Sequence, residues 1–398
     1  MAARLPVDPE FSRIPRHAWI GKTGDLAIVF TFALLISLPL VLFWITPQQA
    51  SSTVENRVMA PRPRLDVNHI QRLPKEIERY YNDHFGLREF LVHSDSVLRY
   101  KWFGLSGARL VIGRDRWAFF AGDGMFENHL GLDQFSPQEL TGWLNYLESR
   151  QALAASRGAR YVFVVAPDKA SIYPEMLPRS LRPNGARSRL DQLLTFIQKC
   201  QSSAPVFDLR GPLIDAKKTG IVYYPQDTHW NGRGYYAAYF ALCNYLKQYY
   251  PALPVAQLGR DYEIKRVSWG VGNWSLAGLP EENLAFPSDF LFPLRPSSAR
   301  VEAIEPPPSV TAIRDPDHAL MGFQNEKGLL RALIFHDSFI YTGIPERNQT
   351  PFRDTFAQSA YLGAYPSDAQ FQALLDQEKP DIVIEERVER FVSGVPAR

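Results

Sequence analysis

The sequence predicts an α/β protein in which one N-terminal transmembrane helix precedes a three-layer α/β/α domain with a mainly parallel sheet. Two observations support this fold class. Residues 26–45 (LAIVFTFALLISLPLVLFWI) form an uncharged apolar stretch, and roughly 20 such residues are needed to cross the hydrocarbon core of a bilayer. From residue 137 onward, helical patterns alternate with short apolar runs, which is typical of a layered α/β domain.

The charges that flank the apolar stretch predict its orientation. Arg13, Arg16 and Lys22 precede it, whereas Arg57 is the only basic residue between 46 and 60. Because positive charge favours the cytoplasmic side, the rest of the chain is predicted to lie outside the cytoplasm. A cleaved signal peptide is the alternative, but its apolar region is normally about 7–15 residues long. The predicted organisation is a cytoplasmic N-terminus (1–25), a transmembrane anchor (26–45), a linker (46–73) and an extracytoplasmic domain (74–398).

The elements of the domain follow from its hydrophobic periodicity. Residues 74–104 have helical spacing, and 110–124 (LVIGRDRWAFFAGDG) predict a strand, a turn and a second strand. The run YVFVVA at 161–166 is continuously apolar, as in a parallel strand buried on both faces. Residues 254–328, rich in proline and tryptophan, predict a loop-rich insertion with short strands. Further helices are predicted over 137–157, 187–203, 232–249 and 367–377, and further strands over 206–209, 221–224, 330–335 and 381–384.

Composition and charge exclude several classes of function. The net charge is +2, from 44 basic and 42 acidic residues, so no basic surface of the kind that binds nucleic acid is predicted. The eight histidines are dispersed without metal-ligand spacing, so neither a metal nor a cofactor is predicted. Cys200 and Cys243 lie far apart in helical patterns, which favours two small, buried core residues over a disulfide.

The segment YYPQDTHWNGRGYYAAYF (223–240) holds the first candidate residues for chemistry. A predicted strand ends at Tyr224, a loop carries Asp227 and His229, and Asn231 is placed to cap the next helix. Loops at the carboxyl ends of parallel strands are where α/β folds bind ligands. The Asp227 carboxylate can reach the His229 ring and fix its tautomer. A D-x-H sequence also occurs often by chance, so this pair needs a nucleophile elsewhere in the chain.

The segment ALIFHDSFIY (332–341) supplies a candidate nucleophile. A buried strand ends in polar residues, and Ser338 follows at the turn, where backbone N–H groups can stabilise an oxyanion. A serine after an apolar strand is also often a simple helix cap. His229 is the candidate base for Ser338. His336 is the rival, because residues two apart on an extended chain point to the same side, although such neighbours rarely form an in-line hydrogen bond.

At these two segments the chain resembles the alginate O-acetyltransferase family, whose catalytic domains are SGNH-hydrolase-like. The resemblance covers about 55–391 and is most specific at 166–178 (APDKASIYPEMLP) and at the D-x-H-W sequence 227–230. Residues 337–339 match the end of the family's G-D-S-F block, but His336 stands where the family usually has glycine. The order Asp, His, Ser is the permuted order of this family, since ordinary SGNH hydrolases have Ser first. Weaker similarities lie at 55–63, 80–88, 111–120 and 381–391.

The resemblance implies a catalytic triad of Asp227, His229 and Ser338. Residues that follow or adjoin the motifs are expected to contact substrate: Lys169, Tyr173, Trp230, Asn273 and Tyr341. Lys169 and Tyr173 are alternatively anchors of their own loop. Asn273, with Gly272, is a weak candidate for the oxyanion hole and is alternatively part of a simple turn. Trp269 and Trp274 are candidates for stacking on sugar rings or for core packing.

The resemblance also implies an activity, a location and partners. It implies an O-acetyltransferase that moves acetyl groups onto a secreted or cell-envelope polysaccharide through acetyl-Ser338. The domain would lie in the periplasm, anchored in the inner membrane, and a multipass membrane acyltransferase would deliver the acetyl donor. Two other classes stay open, a polysaccharide acetyl esterase with the same triad and a non-catalytic scaffold of an export complex. Transfer of acetyl to oligosaccharide, as against release of acetate, separates the transferase from the esterase.

Overall fold

The fold divides into two compact units, Met1–Asp95 and Ser96–Arg398, whereas the extracytoplasmic domain is predicted to begin at residue 74. The structure is a computed structural model. It describes residues 22–52, 57–65, 67–103, 107, 109–269, 274, 276, 278–279, 286–302, 304–305, 320–341 and 350–396.

The first unit begins with a long apolar helix, α1 (Lys22–Ile45). Among the described residues, Gly24–Ile45 is the one helical stretch long and apolar enough to cross a membrane, in agreement with the predicted anchor at 26–45. The predicted linker contains a short antiparallel pair, β1 (Ser51–Ser52) and β2 (Arg57–Val58), and a 3₁₀ turn, Val67–Arg72.

The single helix predicted over 74–104 is two helices, α2 (Leu73–Asp83) and α3 (Arg88–Phe103). Gly86 lies in the break between them, where its backbone passes close to α1. A Cβ at this position would lie 2.5 Å from the Leu42 Cβ, so a larger residue would force the two segments apart.

A seven-stranded sheet forms the centre of the second unit, in the order β6-β5-β13-β11-β12-β10-β9. The first five of these strands are parallel to one another. At the other edge, β10 pairs antiparallel with β12, and β9 pairs antiparallel with β10. The strands are β5 (Arg160–Ala166), β6 (Val206–Asp208), β9 (Arg300–Glu302), β10 (Met321–Gln324), β11 (Arg331–Phe335), β12 (Gln358–Leu362) and β13 (Ile382–Val388). Two separate antiparallel pairs join β3 (Leu110–Ile112) to β4 (Ala118–Phe120) and β7 (Tyr262–Trp269) to β8 (Phe286–Pro293).

Helices cover both faces of the sheet, so the predicted three layers are present. Alternate residues of β5 enter different cores: Val162 and Val164 pack on one face, and Tyr161 and Phe163 pack on the other. This alternation is the reason why the run at 161–166 is apolar throughout. One face is covered mainly by α8 (Arg210–Lys217) and α9 (Gly232–Leu246), the other by α5 (Pro137–Ala155), α7 (Arg189–Lys199) and α11 (Asp368–Glu378). The short helices are α4 (Met125–His129), α6 (Lys169–Ile172) and α10 (Pro351–Thr355).

Two further sequence predictions about elements need correction. Residues 221–224 are not a sheet strand, since they form only an isolated bridge between Tyr223 and Trp230. The insertion at 254–328 holds the eight-residue strands β7 and β8, and its later part contributes β9 and β10 to the main sheet. The short pair β1 and β2, strand β12 and helices α4, α6, α8 and α10 were not predicted. Strand pairing between distant segments leaves no local pattern in the sequence, which explains the errors at β9 and β10.

Candidate active site

The Asp227–His229 loop is a tight turn held by backbone hydrogen bonds across its base. Tyr224 N donates to His229 O at 3.1 Å, and Asn231 N donates to Val222 O at 3.0 Å. The Asn231 side chain then caps α9, because its Oδ1 accepts from the backbone N–H groups of Arg233 and Gly234. The predicted cap is therefore confirmed, and the loop is fixed at both ends without a sheet strand before it.

Ser338 lies directly after β11, at the carboxyl edge of the parallel strands. It begins a 3₁₀ helix, Ser338–Tyr341, and its side chain is exposed. Asp337 holds the turn, since its carboxylate accepts from Phe339 N at 3.0 Å and from Val388 N at 2.7 Å. These bonds tie the serine segment to β13, the neighbouring strand.

The three predicted triad residues lie in one hydrogen-bonded series. His229 Nδ1 is 2.7 Å from Asp227 Oδ1, and His229 Nε2 is 2.7 Å from Ser338 Oγ. Asp227 Oδ1 also accepts from His229 N at 2.9 Å. An ionised carboxylate only accepts hydrogen bonds, so His229 carries its ring proton on Nδ1 and donates it to Asp227. The unprotonated Nε2 can then accept a hydrogen bond from the serine hydroxyl.

The charge on Asp227 is stabilised by its neighbours. Burial by itself raises the pKa of this carboxyl group, but the His229 charge, the hydrogen bonds from His229 and the Lys169 charge together hold its pKa below the usual value. The carboxylate is therefore ionised at neutral pH. An ionised partner favours the protonated form of His229 that would arise when the serine hydroxyl is deprotonated.

Lys169 lies beneath the loop, where it binds backbone. Its Nζ donates to the carbonyl oxygens of Tyr224 and Pro225, each at 3.1 Å, and of Asp227 at 2.6 Å. The side chain is 3% exposed, and its Nζ lies 5.0 Å from the centre of the Phe119 ring. Burial lowers the pKa of Lys169 to about 7, and the Asp227 charge opposes this shift. The contacts favour the alternative in which Lys169 anchors the loop.

Trp230 and Tyr173 also bind protein groups. Trp230 is 2% exposed, and its Nε1 donates to Phe339 O at 3.0 Å. The hydroxyl of Tyr173, a buried residue, accepts from Val222 N at 2.9 Å. These contacts hold the segments around Val222 and Phe339 in place. Lys169, Tyr173 and Trp230 were predicted to contact substrate, but all three are buried, which does not fit that prediction. Asn273 and the Tyr341 side chain lie outside the described residues.

The contacts of His336 and Trp274 bear on two alternatives left open by the sequence, the identity of the base and the role of the tryptophan. The rival base His336 is buried, and its Nδ1 lies 2.7 Å from Asp337 O, whereas Ser338 Oγ is within hydrogen-bond distance of His229. Trp274 is fully buried and packs edge-on against Tyr100 at 5.3 Å, which favours core packing. The Trp269 side chain lies outside the described residues.

A buried group of ionisable residues behind the site was not predicted. Asp168 Oδ1 accepts from Arg390 Nη1 at 2.5 Å, and Glu389 Oε2 accepts from Asp168 N at 3.1 Å and from Ser171 Oγ at 2.6 Å. Burial, followed by the Asp168 charge, raises the pKa of Glu389 to about 7. The sequence feature that could have indicated this buried group is the charged run EERVER at 385–390, which directly follows the apolar start of a central strand. Within the described ranges, no group of three or more potential ligands is placed to hold a metal ion.

Comparison with known proteins relates part of the chain to acetyltransferases. Residues 110–270 match the family model for the SGNH hydrolase-like domain, acetyltransferase AlgX. This segment includes Asp227 and His229 and ends before Ser338. The match, together with the mainly parallel sheet, confirms the predicted SGNH-hydrolase-like fold and the predicted resemblance.

Curated relatives include two proteins named probable alginate O-acetylase AlgJ. The one from Pseudomonas putida is 29% identical over 165 residues, which cover 41% of this chain and 40% of the relative. The one from Pseudomonas fluorescens is 30% identical over 173 residues, with 41% and 40% covered. The chain thus matches about two fifths of the length of these relatives.

Comparison with solved structures gives two matches of low sequence identity. Bacillus cereus PatB1 with a sulfonyl adduct is 14% identical, with 72% of this chain and 97% of that chain covered, at a TM-score of 0.49. The O-acetyltransferase domain of Pseudomonas putida AlgJ is 16% identical, with 71% and 92% covered, at a TM-score of 0.43.

Proposed function

We propose that this chain is a serine-dependent O-acetyltransferase that moves acetyl groups onto hydroxyls of a secreted or cell-envelope polysaccharide. The observation that carries the proposal is the pair of 2.7 Å contacts that His229 makes, one with Asp227 and one with Ser338. A nucleophile, a base and a carboxylate that orients the base are the three groups that acyl transfer through a covalent intermediate requires. The relation to alginate O-acetylases favours a polysaccharide acceptor.

The proposed reaction has two half-reactions with the same base. Ser338 Oγ attacks the carbonyl carbon of an acetyl ester or thioester donor while His229 Nε2 takes the serine proton. His229 then gives that proton to the departing donor group, which leaves acetyl-Ser338. A sugar hydroxyl next attacks the acetyl carbon, His229 accepts its proton, and the proton returns to Ser338 Oγ as the sugar ester departs. Asp227 stays ionised throughout and stabilises protonated His229.

Location and donor supply form part of the proposal. The apolar stretch Gly24–Ile45 would anchor the chain in the inner membrane, and the basic residues before it would hold residues 1–25 in the cytoplasm. The domain with Ser338 would then be periplasmic. A multipass membrane acyltransferase would supply the acetyl group, and anchoring beside it would raise the local concentration of donor and acceptor.

The test uses the full chain in detergent micelles with an acetyl-ester donor, followed by mass spectrometry. Wild type is expected to gain about 42 Da, the net mass added when an acetyl group replaces the hydroxyl hydrogen, and to pass the acetyl group to an added oligouronate. Ser338→Ala should gain nothing at this position. Ser156→Ala, which changes an exposed serine at the end of α5, is the matched control and should behave as wild type.

Each outcome selects one of the three functional classes. An adduct on Ser338 that moves to the oligosaccharide supports the transferase. An adduct that is only hydrolysed to acetate favours an esterase. If several donors leave Ser338 unmodified in wild type, the serine-nucleophile proposal is wrong, and the scaffold function takes its place.

A further inference from the structure

A second cleft opens at the sheet edge opposite Ser338. It has a volume of about 600 Å³ and lies around Arg160 and Val206, the first residues of β5 and β6. Ser338 lies three residues after Phe335, the last residue of β11. Strand β13 lies between β11 and β5 and pairs parallel with both. The two sites are therefore separated by about the length of a strand, roughly 20 Å for the seven residues of β5. A cleft of this volume is large enough for a small-molecule ligand.

One wall of this cleft combines tyrosine rings with an arginine. Tyr245, Tyr249 and Tyr250, from the end of α9 and the turn after it, line this wall. Tyr249 is 41% exposed, and the Arg160 guanidinium lies 3.5 Å from the centre of its ring. Arg160 is exposed. Arg160 contacts the Tyr249 ring and the Tyr250 side chain, and in the part of the chain that the structure describes no carboxylate forms an ion pair with it.

Small polar groups also line the cleft. Gln151 and the residues Ser202 and Ser203 line it. The Ser203 side chain is exposed, while Gln151 Nε2 donates weakly to Ser203 O at 3.4 Å. The lining of the cleft therefore combines aromatic rings with hydroxyl and amide groups.

We propose that this cleft binds a uronic acid residue of an acidic polysaccharide, as an accessory site remote from Ser338. The C–H face of a sugar ring can pack on the face of the Tyr249 ring that Arg160 does not cover, a uronate carboxylate can pair with Arg160, and sugar hydroxyls can bond to Ser203 and Gln151. The choice of a polysaccharide rests on the proposed function. Arginine is suited to the carboxylate because its planar fork can donate two parallel hydrogen bonds.

An accessory site at this distance has a consequence for long acceptors. A polymer held at the cleft remains near the molecule while other residues of the same chain reach Ser338. This tethering raises the effective concentration of acceptor hydroxyls without any new contact at Ser338. Long chains are therefore favoured as acceptors, whereas an acceptor of one or two sugars gains nothing from the cleft.

The test measures binding of a decameric oligomannuronate to the full chain in detergent micelles, in the Ser338→Ala background where no acyl transfer occurs. Arg160→Gln is expected to weaken binding about tenfold, the least that loss of a hydrogen bond to a charged group accounts for. Arg160→Lys should recover part of the affinity, and higher salt should weaken binding of the parent. Arg331→Gln is the matched control, since Arg331 is the exposed first residue of parallel β11 and does not line the cleft.

The outcomes separate this site from the active site. Equal affinity for Arg160→Gln, Tyr249→Ala and the parent would overturn the proposal, as would a neutral oligosaccharide that binds as tightly as the uronate. Binding that depends on Arg160 and Tyr249 supports it even if wild type forms no acetyl adduct, a result that would overturn only the proposed function. With active enzyme, Arg160→Gln should raise KM for long acceptors and leave the rate of Ser338 acetylation unchanged.

Discussion

Trp230 Nε1 donates a hydrogen bond to the backbone oxygen of Phe339, at 3.0 Å. These residues directly follow His229 and Ser338 in the chain, so the bond joins two segments that are 109 positions apart. The two rings also pack edge-on, with centres 5.0 Å apart. The distance between base and nucleophile is therefore set by a buried contact between their neighbours.

Replacement of Trp230 by phenylalanine should weaken this connection. The buried Phe339 oxygen loses its donor, which costs about 1–3 kcal/mol of the free energy of unfolding. A shift of the serine away from His229 should also slow acetylation of Ser338, by about 10-fold to 100-fold. Denaturant unfolding and the rate of adduct formation measure the two effects.

Trp143→Phe is the matched control for this prediction. Trp143 is fully buried in the core on the other face of the sheet, and its Nε1 donates to Ser393 O at 2.7 Å. The control should lose a similar free energy of unfolding and keep the acetylation rate. If both variants acetylate Ser338 at the same rate, the contact to Phe339 does not position the nucleophile.

Replacement of Asp227 by asparagine should remove the charge that orients His229. The amide can keep the shape of the loop, but it cannot stabilise a protonated imidazole and can favour the wrong tautomer. Acetylation of Ser338 should fall by about 10³-fold or more. Asp208→Asn, which changes a carboxylate paired with Arg210, is the control. A rate within a few-fold of wild type for Asp227→Asn would show that His229 works without this carboxylate.

The sequence predicted the layered core because burial on both faces of a strand produces a continuous apolar run. The run at 161–166 is such a case, and β5 lies between two cores. It also predicted which three polar residues would meet, from the positions of Asp227, His229 and Ser338 after predicted strands and mainly from the resemblance to the alginate O-acetyltransferase family. Their catalytic role stays a prediction.

The supports of the site were beyond prediction from local patterns. Lys169 binds three backbone carbonyl groups of a loop 55–58 residues away, and any residue type in that loop would provide the same acceptors. The sequence therefore gives no sign of the partner. Because the sequence does not show this partner, Lys169, a polar residue beside a motif, was predicted to contact substrate. In the structure it contacts the loop backbone instead.

Lys169 should make the free energy of unfolding rise with pH. Its pKa is about 7 in the folded chain and about 10.4 in an unfolded one. Between these values the unfolded state binds more protons, so stability increases with pH, by up to about 4 kcal/mol. Lys169→Met should lose this rise, as measured by urea unfolding from pH 6 to 10.

Lys217→Met is the control for this experiment, because Lys217 also donates to a backbone oxygen, that of Ile172 at 2.6 Å, but is only half-buried. It should keep the rise seen in wild type. Lys169→Met should in addition slow Ser338 acetylation, since three loop carbonyl groups lose their donor. A variant that keeps the wild-type rise would place the responsible group elsewhere.

Glu389 should contribute with the opposite sign. Its pKa is raised to about 7 by burial and by the Asp168 charge, whereas an exposed glutamate titrates near 4.3. Between these values the folded state binds more protons, so its contribution to the free energy of unfolding is present below about pH 4.3 and is lost as pH rises through 7. The Glu389→Gln variant has no carboxyl group to ionise at this position. Between pH 5 and 8, wild type should therefore lose up to about 3 kcal/mol more of its free energy of unfolding than the variant does. Glu326→Gln, at an exposed position, is the control and should show the same pH dependence of the free energy of unfolding as wild type. If the curves of this free energy against pH are parallel for Glu389→Gln and wild type, Glu389 is already ionised in the folded chain at pH 5.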